Sequence, residues 1–130
     1  MSRLKRMPLE SEEELRMIKR YLLLPVLMDV LESDMRTLAK AGLKMPAPYL
    51  RSLRAVQQAA CKEEVMLRRH FRAKGIRVYR QRRTQTGIEA EYLCRGYQRH
   101  MRLLWSNVRS DTEALIYRYL GLDPQGGERQ

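Results

Sequence analysis

Met17, Tyr21, Leu24, Met28, Leu31, Met35 and Leu38 step along the chain by four and three residues in turn. That spacing draws one apolar seam along a helix. Ser11, with Glu14 three residues on, forms a capping-box pair, and Glu12 and Glu13 suit the positive end of a helix. The pattern predicts a first helix from Glu12 to about Ala41, closing near Gly42. Leu22, Leu23, Val26 and Leu27 broaden the stripe, which puts this helix at the centre of the core. The same width suggests an apolar excess for a partner protein or a second copy to cover. Pro25 predicts a kink, or two helices meeting at Leu24.

A second helix is expected from Pro48 to Lys74, with Leu50, Leu53, Val56, Ala60, Leu67 and Phe71 on its apolar face. Gly75 before Ile76 is its expected stop. The period then changes to strict alternation, which reads as a two-stranded hairpin over residues 76–92. Pairing Arg80 with Ile88 sets Val78 opposite Ala90 and Ile76 opposite Tyr92. The outer face then sets Arg77 against Glu91 and Tyr79 against Glu89. This register leaves Arg80, Arg82 and Arg83 crowding a loop with no acid partner. Four-and-three spacing returns at Leu93, Tyr97, Met101, Leu104 and Val108 and predicts more helix. Ser110 with Glu113, a second capping box, predicts a break near Trp105 to Arg109 and a last helix facing inward through Leu115, Ile116, Tyr119 and Leu120. The expected fold is a mainly α, single-domain helical bundle with one two-stranded antiparallel hairpin. It occupies residues 11–120, between a flexible N-terminus (1–10) and a flexible tail (121–130).

Charge changes the picture. The 130 residues carry 26 Lys and Arg against 15 Asp and Glu, a net charge of +11, and the excess is segregated. Residues 10–40 hold seven acids and five bases, whereas residues 51–74 hold seven bases and two acids. A segregated basic surface points to a polyanionic partner. No apolar run reaches the length of a membrane span, and no signal-peptide core follows the first basic residues, so a cytoplasmic protein is expected. Two cysteines, Cys61 and Cys94, are too few for a disulfide framework.

Catalytic chemistry finds little support. Cys61, His70, Cys94 and His100 are zinc-ligand types, but their spacing nucleates no metal site. Neither cysteine lies in a turn that would expose a nucleophile, and no phosphate loop or dinucleotide fingerprint occurs. Neither a cofactor, a metal nor a small-molecule substrate is expected. The arginines carry the functional expectation: a non-enzymatic binding protein, nucleic acid being its ligand. Arg68, Arg69, Arg72 and Lys74 would form one polyanion-binding surface with Arg80, Arg82 and Arg83 at the hairpin tip. Helices followed by a basic-tipped hairpin loosely match a winged helix, although the tight three-helix core is missing. The alternative is a protein-interaction or structural module that associates through helical faces, including as a homodimer.

The order of "YLLLPVLMDVLESD", "PYLRSL", "FRAKGIRVYR" and "GYQRHMR" resembles the YhjD-like small proteins of spore-forming bacilli. The likeness runs from about Tyr21 to Leu120. It implies a cytosolic bacterial protein, a sporulation context and the order helix, helix, hairpin, helix. It brings no site residues with it.

Overall fold

The computed structural model describes residues 9–126. Of the expected flexible segments (1–10 and 121–130), residues 1–8 and 127–130 lie outside the described residues. Three helices and three strands follow one another: α1 (Glu12–Lys40), α2 (Pro46–Ala73), β1 (Ile76–Arg83), β2 (Gly87–Cys94), β3 (Tyr97–Leu104) and α3 (Trp105–Leu120). The strands form one antiparallel sheet in the order β1-β2-β3.

Helix α1 begins as its capping box dictates. Ser11 Oγ accepts from the Glu14 amide at 3.1 Å, and the Glu14 carboxylate accepts from the Ser11 amide at 3.0 Å. It runs unbroken through Pro25, so the two-helix reading of this segment does not hold. Ile18, Leu22, Leu23, Leu24, Leu27, Leu31 and Met35 are all buried. The stripe is broad because three neighbours share it. Helix α2 lies antiparallel along one flank, as Arg20 meets Glu63 and Met28 meets Gln57. Ala90, Tyr92 and Cys94 of β2 close the main core cluster, and Leu23 packs with Ile88, Val108 and Leu115. Most of the apolar width of α1 is therefore covered within its own chain, while Leu15 and Val30 remain exposed.

The sheet overturns the expectation of a helical bundle with a two-stranded hairpin. Residues 97–104, read as helix from the spacing of Leu93, Tyr97, Met101 and Leu104, form β3 instead. Tyr97, Met101 and Leu103 fit an alternating strand as well as a helical turn, and only Met101 and Leu103 are partly buried. The deciding feature is the two-residue turn at Arg95 (φ 48°) and Gly96 (φ 91°), which returns the chain at once for Cys94 to face Tyr97. Helix α3 starts directly after β3, at Trp105. Ser110 is not its cap but lies inside it, where its hydroxyl donates to the Asn107 carbonyl at 3.3 Å.

The β1–β2 register is also corrected. Ile76 faces Cys94 and Val78 faces Tyr92; a bulge at Tyr79 then shifts the pairing, so Arg80 faces Glu91, Arg82 faces Glu89 and Arg83 faces Ile88. Strand β1 continues through Arg83 because Thr84 closes a short turn behind it. The Thr84 hydroxyl accepts from the amides of Thr86 and Gly87, both at 3.2 Å, and the Thr84 amide donates to the Gly87 carbonyl at 2.7 Å. Gly87 is a strand residue, and a Cβ there would sit 1.8 Å from the Leu103 carbonyl oxygen across the β2–β3 ladder.

Candidate polyanion-binding surface

Arg80, Arg82 and Arg83 are not unpartnered loop residues. Arg82 donates to Glu89 at 2.9 Å, Arg83 lies 2.8 Å from Asp29 of α1, and Arg80 makes a longer contact of 4.0 Å with Glu91. Glu89 also faces Arg102 of β3 at 3.6 Å. Hydrogen bonding from Arg82, the largest influence, holds the Glu89 carboxyl below its ordinary range. The turn beyond these arginines is itself tethered. Trp105 donates its indole N–H to the Thr84 carbonyl at 2.7 Å and its amide to the Thr86 carbonyl at 3.1 Å. Arg77, expected to meet Glu91, faces Leu93 instead and has no ion-pair partner among the described residues. Sequence reasoning thus assigned the partners the wrong way round. A bulge and an acid from a distant helix, Asp29, were the missing information.

The second group fares differently. Arg68, Arg69, Arg72 and Lys74 do sit together at the C-terminal end of α2, where the helix dipole favours cations. They and the hairpin tip are anchored at different points along α1. That end of α2 packs beside Tyr21, through Phe71, whereas Arg83 reaches Asp29, eight residues further along α1. Eight residues of helix set these two anchor points about 12 Å apart along the axis.

What the structure adds is the rest of α2. Arg51, Arg54, Lys62, Arg69 and Arg72 recur at intervals that share one helix face, with Gln58 and Val65 completing the row. All seven side chains are exposed. None of the five cations has an ion-pair partner among the described residues. The row spans about 31 Å of helix. The only acids in α2, Glu63 and Glu64, are turned off it and engaged: Glu63 by Arg20 at 2.6 Å and by the Tyr119 hydroxyl, Glu64 by Arg68 at 3.4 Å. Burial, with the Glu63 contact second, raises the Tyr119 hydroxyl well above the ordinary tyrosine range, so it stays a donor to that carboxylate. The signal was present in the sequence as Arg51, Arg54 and Lys62. It lacked only the knowledge that both glutamates face away.

A third set of arginines is structural. Glu10 accepts from the Tyr92 hydroxyl and from Arg99 at 3.1 Å, and its side chain is only 2% exposed. Arg95 donates to Glu14 at 3.0 Å, to the Leu9 carbonyl at 2.9 Å and to the Lys74 carbonyl at 2.7 Å. These contacts tie the residues ahead of α1 to the sheet and to the end of α2.

Among the described residues, no three His, Cys, Asp or Glu side chains gather where they could hold a metal ion. Cys61 is exposed with its Sγ 3.8 Å from Met28 Sδ, while Cys94 is buried, and burial is the chief reason its thiol is pushed up. Among the described residues, no helix is long and apolar enough to cross a membrane.

The fold is that of a small α+β protein: a long central helix, a three-stranded meander packed on it, and a second long helix with a cationic outer face. The chain belongs to the YhjD protein family, whose family model matches residues 9–124. No curated protein and no solved structure matches the chain.

Proposed function

We propose that this is a non-enzymatic protein that binds nucleic acid through the phosphate backbone, using the outer face of α2. The single observation that carries the reading is the acid-free row Arg51, Arg54, Lys62, Arg69 and Arg72, exposed along the helix. Four of the five are arginines, whose planar fork suits phosphate oxygens better than an ammonium does. A row of about 31 Å covers roughly nine base pairs of duplex. The opposite, apolar face of α2 is already buried in the core through Val56, Ala60, Leu67 and Phe71. A helix lying in a membrane surface would need that face free, which favours nucleic acid over lipid. Cations spaced along one straight face position a backbone rather than read bases, so sequence preference is weak.

The test is a fluorescence-anisotropy titration of labelled duplex DNA and of single-stranded DNA and RNA over a range of salt concentration. Five phosphate contacts on duplex correspond to a log–log salt slope of about −4.5. Absence of binding at low salt, or a slope unchanged when the row is neutralised, overturns the proposal. In that event association with a protein partner through another face becomes the better reading.

A further inference from the structure

Val26, Val30 and Asp34 recur every four residues and so share one face of α1. Trp105, Val108, Thr112 and Ile116, three and four residues apart, share one face of α3. The two faces meet in a groove of about 610 Å³, well within the range of small-molecule sites. Most of its wall is apolar. Val108 is buried, Val26, Trp105 and Ile116 are half-buried, and Val30 stays exposed. The groove draws no residue from α2, so it is a separate matter from the cationic row.

Three polar features in this apolar groove point to a ligand and to its charge. The first is Thr112, which lines the groove and is 5% exposed, yet its hydroxyl has no hydrogen-bond partner among the described residues. Buried hydroxyls are ordinarily paired, and a polar atom entering the groove supplies the missing partner. The second is the rim. Asp34, Arg109 and Glu113 line it, and none of them has an ion-pair partner among the described residues. Two carboxylates outnumber one guanidinium, so this rim is acidic on a chain whose net charge is +11. The third is Trp105. Its indole N–H is committed to the Thr84 carbonyl at 2.7 Å, which holds the ring in place, and indole is the aromatic group that attracts cations best. An anion would meet two carboxylates here, and a neutral molecule would leave them unmatched. The ligand that suits all three features has an apolar body and one positive charge with N–H groups to donate.

We infer that the groove between α1 and α3 binds a small organic amine. Its apolar body covers Val26, Val30 and Ile116, and its ammonium group donates to the Asp34 and Glu113 carboxylates, with the Thr112 hydroxyl as a further acceptor. The row on α2 takes polyanions and this groove takes a cation, so the two sites do not compete for one ligand.

Trp105 is the only tryptophan of the chain, so the intrinsic fluorescence of the full-length protein reports on this groove directly. The experiment titrates it with three probes that share one apolar body: phenylethylamine, phenylethanol and phenylpropionate. The amine should give a saturable change and bind about tenfold tighter than the alcohol, with the carboxylate weaker than both. Asp34→Asn with Glu113→Gln, changes at exposed residues, should bring the amine down to the level of the alcohol. Val30→Lys, also at an exposed position, puts a cation into the groove and should abolish amine binding. The ranking of the three probes on the unaltered protein decides the matter even where a variant folds poorly. No saturable change with the amine, equal binding of amine and alcohol, or a preference for the carboxylate overturns the inference. Each of those results leaves the proposed function standing, because the nucleic-acid titrations involve other residues. Amine binding without any binding of nucleic acid has the opposite meaning: the inference stands and the proposed function fails.

Discussion

Two regions of this protein are rich in arginine and differ in what surrounds them. The distal half of β1 presents Arg80, Arg82 and Arg83, each held against an acid from β2 or α1. The outer face of α2 presents five cations with no acid beside them. The difference lies in geometry. A strand paired to an acidic strand brings opposite charges to about 5 Å, whereas an outward helix face meets only its own neighbours three and four residues away. Charge density along a sequence therefore says little about whether charge is available to a ligand.

The comparison can be broken most forcefully on α2. Replacing Arg51, Arg54, Lys62, Arg69 and Arg72 together with alanine should flatten the salt slope of duplex binding by about four units. Because the five side chains are exposed and unpaired, thermal unfolding should change little, by at most a few tenths of a kcal/mol per site. Matched circular-dichroism melts and anisotropy titrations give both quantities. Loss of folding instead of binding would show that the row is structural.

The converse change on the hairpin should invert this result. Replacing Arg80, Arg82 and Arg83 with alanine should lower stability by about 1–2 kcal/mol in total, since exposed ion pairs contribute roughly 0.2–1 kcal/mol each. The salt slope should change by less than one unit. A drop of three units would restore the hairpin as the binding element.

Acid sharpens the contrast further. Hydrogen bonding from Arg95 is the main reason the Glu14 carboxyl lies below the ordinary glutamate value of 4.5. For Glu10 burial acts in the opposite direction, but hydrogen bonds from Tyr92 and Arg99 outweigh it and the net shift is also downward. A carboxyl that is lowered in the folded state stabilises the fold fully above the unfolded value, and that stabilisation is lost as pH falls through the folded value. Denaturant melts should therefore show stability declining below about pH 4.5, and Glu14→Gln should make the decline shallower. An unchanged pH profile in Glu14→Gln would remove Arg95–Glu14 from the account.

Much of the helical part was legible in the sequence. Ser11 and Glu14 marked the start of α1, the apolar positions marked its buried face, and Gly75 (φ 74°) marked the stop after α2. These signals are local, and local geometry decides them. The sheet was legible only in part. The hairpin was found, but its register depends on a bulge at Tyr79 and on a turn built from threonine hydroxyls, neither of which has a glycine signature. Strand β3 was missed because its turn places a non-glycine residue, Arg95, at positive φ. That conformation is held by partners at Leu9, Glu14 and Lys74, which no local window contains. On the candidate site, the cations at the end of α2 were recognised, while Arg51, Arg54 and Lys62 were not. Which arginines stay unpaired is settled only when distant acids have been placed.

The latch around Glu10 and Arg95 has a kinetic consequence. Its contacts join residues 81 or 82 positions apart in the chain, Glu14 with Arg95 and Glu10 with Tyr92. Closing so long a loop carries a large entropic cost that is met only after β2 and β3 have paired. The expectation is that the latch forms after the rate-limiting step of folding and is among the first contacts to open. Stabilisation gained that late acts on the rate of unfolding and hardly on the rate of folding. Arg95→Ala should steepen neither arm of a denaturant chevron, leave the refolding arm in place and raise the unfolding arm. The short stretch ahead of α1 would then set the lifetime of the folded protein more than the ease of reaching it.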